Sequence, residues 1–285
     1  MIPAAFDYAR PRTLDEALDL LAVGDPSIRV LAGGQSLIPL MKLRLARPVR
    51  LVDMGRLDDL RGVRAAPDGG LSIGALTTWA DLLDDPRITS YGALADVLPM
   101  IGDLQVRNRG TIGGSLAHAD PASDIAAPAL ALGFEVVVQS AARGERTVPI
   151  TKLYAGPFAT TLAPDEIVTA VRVRAVPARA ASAYCALPQP ASGYPIAGVA
   201  VSITRDAAGT VRECAIGVTG VGEQPYRAVD AERAILGGQP GADALATIAA
   251  GQRVASDIHA DREYRAAMAL VMARRAFDAA GARHS

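Results

Sequence analysis

Two loops built on adjacent glycines, Ala32-Gly33-Gly34-Gln35-Ser36 and Thr111-Ile112-Gly113-Gly114-Ser115, each follow a stretch that reads as extended. Paired glycines let the main chain take φ > 0 and bring its amide groups against a partner with no Cβ in the way. Such a chain must carry its backbone close to something, and a phosphate suits the surroundings. Val30-Leu31 and Thr111-Ile112 lead in, Ser36 and Ser115 lead out, and no charged residue interrupts either loop. Gly69-Gly70 and Gly237-Gly238 lack this context and read as turns.

Neither loop fits the usual nucleotide fingerprints. Gly33-Gly34 lacks the G-x-G-x-x-G spacing, and no G-x-x-x-x-G-K-[ST] run occurs. Without a loop lysine, an anion would be held by main-chain N–H groups and the hydroxyls of Ser36, Thr111 and Ser115, an amide nest rather than a point charge. Charge-assisted hydrogen bonds contribute roughly 1.5 to 3 kcal/mol each, so about four across two loops hold a diphosphate without a cationic side chain. Two loops on one ligand imply a dinucleotide.

The neighbourhood of the loops shows a family resemblance. Leu31 to Pro39 followed by Met41-Lys42-Leu43-Arg44, and above all the segment from Gln105 to Asp124, resemble the FAD-binding medium subunit of the molybdenum hydroxylases. That family includes xanthine dehydrogenase and aerobic carbon monoxide dehydrogenase. The resemblance continues through Gly74-Ala75-Leu76-Thr77, Thr160-Thr161-Leu162, Asp165-Glu166-Ile167 and Pro190-Ala191-Ser192-Gly193-Tyr194, and ends with Glu263-Tyr264-Arg265 and Arg274-Arg275-Ala276.

It implies an α+β chain: a two-lobed, PCMH/vanillyl-alcohol-oxidase-like FAD-binding domain over residues 1–176, with lobes 1–56 and 57–176, then a smaller C-terminal α+β domain over 177–285 with an antiparallel sheet and helices. It also implies a site. Leu31, Ala32, Gly33, Gly34, Gln35, Ser36 and Leu37 would surround the pyrophosphate together with Thr111, Gly113, Gly114 and Ser115. Ile101, Gly102, His118, Ser123, Asp124 and Leu162 would line the rest, with Asp124 accepting from a ribose or ribityl hydroxyl. Tyr194 would stack on the isoalloxazine. Many relatives place a lysine two residues after the position of Tyr184; here Cys185-Ala186 follow, so that cation beside the ring is missing.

The implied activity is electron relay by an FAD-containing oxidoreductase subunit that needs its partners. A small subunit would carry [2Fe-2S] clusters and a large one molybdopterin, with two heterotrimers paired. A stand-alone FAD-dependent oxidoreductase and a non-redox assembly subunit are the alternatives.

Composition agrees with this and excludes other classes. The 285 residues bury a sizeable core and would divide into two or three lobes. With 29 basic against 30 acidic residues and no basic run, nothing points to nucleic acid or to an anionic membrane surface. Met1 to Asp7 has neither a basic n-region nor an apolar h-region, and the most apolar stretch, Ile125 to Val138, is too short to span a bilayer. The expected location is the cytoplasm, without a transmembrane segment. Cys185 and Cys214 have no C-x-x-C companion, which leaves no ligand set for a metal or cluster in this chain and predicts free, buried thiols.

Local patterns place the elements. Thr13 and Glu16 form a capping box ahead of Leu14, Ala17, Leu18 and Leu21; Ile28 to Ala32 and Arg50 to Asp53 read as strands. A hairpin is expected around Asp68-Gly69-Gly70, helices from Thr78 and Tyr91, and strands at Phe134 to Ser140, Arg146 to Ile150 and Ile167 to Val173. Pro177 with the alanine-rich stretch Ala178 to Ala183 marks a boundary, followed by an antiparallel pair at Ile196 to Thr204 and Val211 to Val221. The last helix, from about Asp261 to Ala280, puts Tyr264, Met268, Val271, Met272 and Ala276 on one apolar face.

Side-chain chemistry is sparse. Of three histidines, His284 is in the tail, His259 opens the last helix and only His118 adjoins a glycine loop, as an expected flavin contact. No nucleophile, base and orienting group stand together, so no catalytic residue is assigned. Asp120 and Asp124, with Pro121 between them, read as caps rather than a metal pair. Arg107 and Arg109 read as ion pairs bracing the loop, and Lys42, Arg44 and Arg47 as a solvated face or a partner contact.

Overall fold

A computed structural model describes residues 2–283; His284 lies outside them. The chain is α+β, with three larger sheets and a two-stranded one, Tyr154–Gly156 with Ala159–Thr160. The first holds three parallel strands in the order Asp7–Ala9, Arg50–Asp53, Ile28–Leu31. The helix Leu14–Leu21 covers it with Ala17, Leu18 and Leu21 buried. Thr13 caps this helix by accepting from the amide of Glu16, but the Glu16 carboxylate accepts from the amide of Arg12 instead of Thr13. The expected box therefore closes one residue early.

The second sheet is antiparallel, in the order Val63–Ala65, Leu71–Gly74, Ile167–Val173, Glu135–Ser140, Gly144–Pro149. The late strand Ile167–Val173 inserts between two earlier ones, and its inward face alternates with period 2 as a half-buried strand requires. Thr78 starts the helix Trp79–Leu83 with a complete capping box to Asp81. Gly92–Val97 and the wholly buried Ala126–Leu132 fill the core beneath this sheet.

The third sheet is an antiparallel meander, Ala180–Pro188, Pro195–Arg205, Val211–Thr219 and Tyr226–Arg227. Its first strand occupies the stretch expected to be a boundary. The strand Pro195–Arg205 is covered on both faces, so it reads as an unbroken apolar run. Ala197, Val199, Val201 and Ile203 face the core under the final helix, Arg262–Ala282, while Ala200 joins Tyr184 in the core of the preceding domain. Small residues allow that approach: a Cβ on Gly217 would stand 2.1 Å from the carbonyl oxygen of Ala127.

The final helix differs from its sequence pattern. Its buried face is Arg265, Ala269, Met272, Ala273, Ala276 and Ala280, whereas Tyr264 is exposed and Met268 and Val271 are half-buried. Arg265 turns inward because its guanidinium meets carbonyls: Nη1 donates to Ile196 O at 2.9 Å and Gly220 O at 2.6 Å, and Nη2 pairs with Asp257. His259 precedes the helix rather than opening it. Cys185 and Cys214 are free thiols, half-buried and buried. No helix among the described residues is long and apolar enough to cross a membrane.

Candidate functional site

The two glycine loops lie against each other. A Cβ on Gly33 would stand 2.1 Å from the carbonyl oxygen of Arg109 and 2.9 Å from Cα of Gly110, and one on Gly114 would lie 3.5 Å from Cβ of Ala32. Their proximity follows from the topology. The first loop leaves the C-terminal end of Ile28–Leu31, where open parallel sheets place their ligands. The second is fastened to the neighbouring lobe by a bridge between Thr78 and Thr111 and by Trp79 N donating to Gly110 O at 3.1 Å.

The loops offer different donors. In the first, Gly34 turns the chain at φ +78°, and among the described residues the amides of Gly33, Gly34, Gln35, Ser36 and Leu37 donate to no group of the chain. Five consecutive N–H groups without a partner among the described residues stand at the turn entering the helix Leu37–Lys42, donors of the kind that bind an anion. In the second loop the amides are spent: Ile112 on Thr77 O, Gly113 on Ala75 O, Gly114 on Thr111 Oγ1 and Ser115 on Thr111 O. Of the two loops expected to form a nest, the first alone keeps its amides unbonded among the described residues. Gly113 serves close packing, since a Cβ there would meet Cβ of Ala75 at 2.5 Å.

Beyond the second loop the chain folds tightly through His118 to Asp124. Ala119 takes φ +54°, and its carbonyl accepts from the amide of Phe158, itself at φ +55°. Two non-glycine residues in the left-handed region, bonded to each other, mark backbone held in place by its surroundings. The rings of His118 and Phe158 pack with centroids 5.3 Å apart. Burial, with the charge of Arg29, holds the imidazole below its ordinary pKa against the opposing pull of Asp120. Asp120, expected as a cap, accepts from the amide of Ala122 in a local turn ahead of the helix Ala126–Leu132, and burial raises its carboxyl. Ser115 and Ser123 share a hydroxyl hydrogen bond at 3.0 Å.

Asp124 is not a cap. Its Oδ1 accepts from the Tyr184 hydroxyl at 2.7 Å, within the interior. Burial pushes this carboxyl up to about 7; the Tyr184 hydrogen bond pulls it down and the charge of Asp120 adds to the rise. The Tyr194 hydroxyl is raised by burial and by the charges of Asp120 and Asp124, which puts the half-exposed Tyr194 beside the same carboxylates. The loop hangs on the C-terminal sheet: Thr219 Oγ1 lies 2.9 Å from the carbonyl oxygens of both Pro121 and Ser123, and Gly220 N donates to Pro121 O.

Ile101 and Leu162 pack, half-buried, on one hydrophobic core with Ala186, and Gly102 turns the chain at φ +57°. Arg107 braces this stretch through carbonyls rather than ion pairs, Nη1 donating to Gly102 O at 2.7 Å and to Pro99 O and Ile101 O at 3.3 Å. Arg109 lies with Arg10, Arg61 and Asp53 around a cleft of about 90 Å³ between the first two lobes. Lys42, Arg44 and Arg47 are exposed beside Leu43 and Leu45. No metal-binding cluster of three or more His, Cys, Asp or Glu occurs among the described residues.

Sequence reasoning passed over Phe158, Thr219 and the role of Tyr184. Only the apolar run around Tyr184 hinted at burial. Nothing local announces that a hydroxyl far along the chain reaches Asp124.

Family models match nearly the whole chain: an FAD binding domain in molybdopterin dehydrogenase over residues 4–175 and a CO dehydrogenase flavoprotein C-terminal domain over residues 182–280. The carbon monoxide dehydrogenase medium chain of Hydrogenophaga pseudoflava is 37% identical, with 99% of each chain covered. Among solved structures, reconstituted CO dehydrogenase from Oligotropha carboxidovorans superposes with a TM-score of 0.94 at 36% identity, over 99% of this chain and 100% of that one. Quinoline 2-oxidoreductase from Pseudomonas putida 86 superposes with a TM-score of 0.90 at 30% identity, over 100% of this chain and 99% of that one.

Proposed function

The chain belongs to the family of FAD-binding medium subunits of molybdenum hydroxylases, and from that membership we propose that its two apposed glycine loops hold the diphosphate of one FAD, through which electrons from a partner's [2Fe-2S] clusters reach an external acceptor. The observation that carries this is the run of free amides from Gly33 to Leu37, closed on one side by the Thr111 to Gly114 loop. The residues fit the cofactor. A dianionic linkage needs several donors and no bulk, and a Cβ on Gly114 would fill the gap between Thr111 Oγ1, 2.7 Å away, and Ala32.

FAD, when bound, supplies a two-electron store between one-electron donors and the acceptor. The chain's own groups hold and orient it. The amides of Gly33 to Leu37 donate to the diphosphate, with the Ser36 and Thr111 hydroxyls beside them. Ile101 and Gly102 line one end. Asp124 accepts from a ribose or ribityl hydroxyl, Ser115, Ser123, His118 and Leu162 line the pocket, and Tyr194 covers the ring. No side chain is assigned a proton-transfer step on an organic substrate. The relatives act on substrates as different as carbon monoxide and quinoline, which fits a substrate chosen by the large molybdopterin subunit. The assembly is a heterotrimer, paired into a dimer of trimers, in the cytoplasm.

The test is to purify the chain with its neighbouring subunits and record the visible spectrum beside Gly34→Asp and Gly114→Asp. Wild type is yellow; each variant loses the flavin bands through steric and like-charge conflict with the diphosphate. Full flavin occupancy in both variants sinks the assignment of the loops.

A further inference from the structure

Tyr184 belongs to the C-terminal sheet, yet its side chain leaves that sheet and ends in the core of the preceding domain. Several features of the chain serve that excursion. Its amide donates to Asp96 Oδ2 at 2.9 Å on the helix Gly92–Val97, and Asp96 is clamped by Arg283 at the end of the final helix, with Nη2 at 2.6 Å from Oδ1 and Nη1 at 2.9 Å from Oδ2. The partner strand has Gly198 where a Cβ would stand 2.4 Å from the Tyr184 hydroxyl. The missing side chain makes the room in which that hydroxyl reaches Asp124.

The geometry divides the carboxylate. Oδ1 is taken by Tyr184 at 2.7 Å. Among the described residues no other residue donates to Oδ2, and Arg265 Nε is the one fully buried side-chain polar atom among them without a partner. A carboxylate fixed by one oxygen and open at the other is preorganised to accept from a hydroxyl.

We propose that Tyr184 is a positioning residue for the cofactor: its hydrogen bond holds the Asp124 carboxyl in one orientation, so that Oδ2 accepts from an FAD hydroxyl. The proposal rests on the reading of Asp124 as an FAD contact and adds that the C-terminal domain governs it. The groups facing Asp124 are Asp120 from its own loop, Tyr184 from the sheet and Tyr194 from the loop between strands. No cation among the described residues acts on it, so the Tyr184 hydroxyl is the main influence opposing burial, followed by the amide of Asp124 itself.

FAD affinity of the flavin-stripped full chain, measured from pH 5.5 to 9, separates the possibilities for wild type, Tyr184→Phe and Asp124→Asn. Wild-type affinity falls as the pH drops through about 7. Tyr184→Phe binds about tenfold more weakly at pH 7, and its fall moves to higher pH because the carboxyl has lost its stabilising donor. Asp124→Asn binds weakly with a flat profile. A second readout needs no FAD: the Asp124 carboxyl carbon, followed by NMR in the stripped chain, titrates at higher pH in Tyr184→Phe, and circular dichroism checks that the fold is retained. If Asp124→Asn weakens binding but Tyr184→Phe matches wild type in affinity, profile and titration, the positioning role is overturned and the Asp124 contact stands. If Asp124→Asn itself binds like wild type with an unchanged profile, the contact and the proposal both fall.

Discussion

Gly33 and Arg109 stand so close that the main chain of one occupies the place a side chain would need on the other: the carbonyl oxygen of Arg109 lies 2.1 Å from an ideal Cβ on Gly33. The two glycine loops proposed to hold the cofactor are therefore coupled before any ligand arrives, and the coupling rests on a missing methyl group. Gly34 beside it has a different task, since its Cβ would meet only side-chain atoms, of Ile38 and Leu31, and its requirement is the turn at φ +78°.

This predicts that Gly33→Ala acts through the fold as much as through the ligand. The obstructing atoms are backbone and cannot swing aside, so the loops must part. The cost is about 3 kcal/mol, at the upper end of overpacking effects, read as a fall in thermal midpoint of the flavin-stripped chain together with loss of FAD uptake. A Gly33→Ala chain as stable as wild type would show that the lobes adjust freely and that their contact is not structural.

Much of this arrangement was legible in the residues, though unevenly. The strands Ile28–Leu31 and Arg50–Asp53, the capped helices and the paired strands at Glu135–Ser140 and Gly144–Pro149 follow from period and turn chemistry, whereas Asp7–Ala9 was not read. Ala180–Pro188 did not, because Ala, Ser and Cys carry little strand preference; what makes it a strand is the sheet it joins and the helix Gly92–Val97 it packs on. The face of the final helix was displaced for a related reason. Hydropathy favours Tyr264 and Val271, whereas Arg265 finds two main-chain carbonyls and Asp257 inside. At the site, both loops could be read from the residues, but which amides were free depended on Ala75 and Thr77, whose carbonyls take those of Gly113 and Ile112, and on Thr111, which takes those of Gly114 and Ser115.

Two carboxylates give stability opposite dependences on pH. Asp124 is raised by burial to about 7, so between about pH 4 and 7 the folded chain keeps a proton that the unfolded chain has released. That contribution is present at the acid end and is lost as the pH rises through 7. Glu166 is held below the usual range, chiefly by its hydrogen bonds to Arg146, both at 2.7 Å. Its contribution is present at neutral pH and lost as acid protonates it. In the flavin-stripped chain, then, Asp124→Asn gains stability relative to wild type above pH 7, by at most about 4 kcal/mol, and the difference shrinks toward pH 4. Glu166→Gln is less stable than wild type at pH 7 and converges with it near pH 3. Urea unfolding at four or five pH values measures both differences, and a pH-independent offset for either variant contradicts its assignment.

Arg107 allows a direct choice between charge and scaffold. Its one Nη1 atom serves the carbonyls of Pro99, Ile101 and Gly102, so its positive end is turned into the loop that carries Ile101. A guanidinium that met the diphosphate would add to the salt dependence of binding, because each phosphate–cation contact is screened as ionic strength rises. A brace would not. Arg107→Gln and Arg107→Lys are therefore expected to weaken FAD binding through a looser Ile101–Gly102 turn, by roughly three- to tenfold on the scale of one or two lost hydrogen bonds, with the slope of affinity against salt left at the wild-type value. Lysine, which keeps the charge but not the planar fork, gives little rescue over glutamine. Titrations of the stripped chain with FAD at 50 mM and 500 mM salt decide the matter: a shallower slope in Arg107→Gln, restored in Arg107→Lys, would mean that this arginine touches the ligand after all.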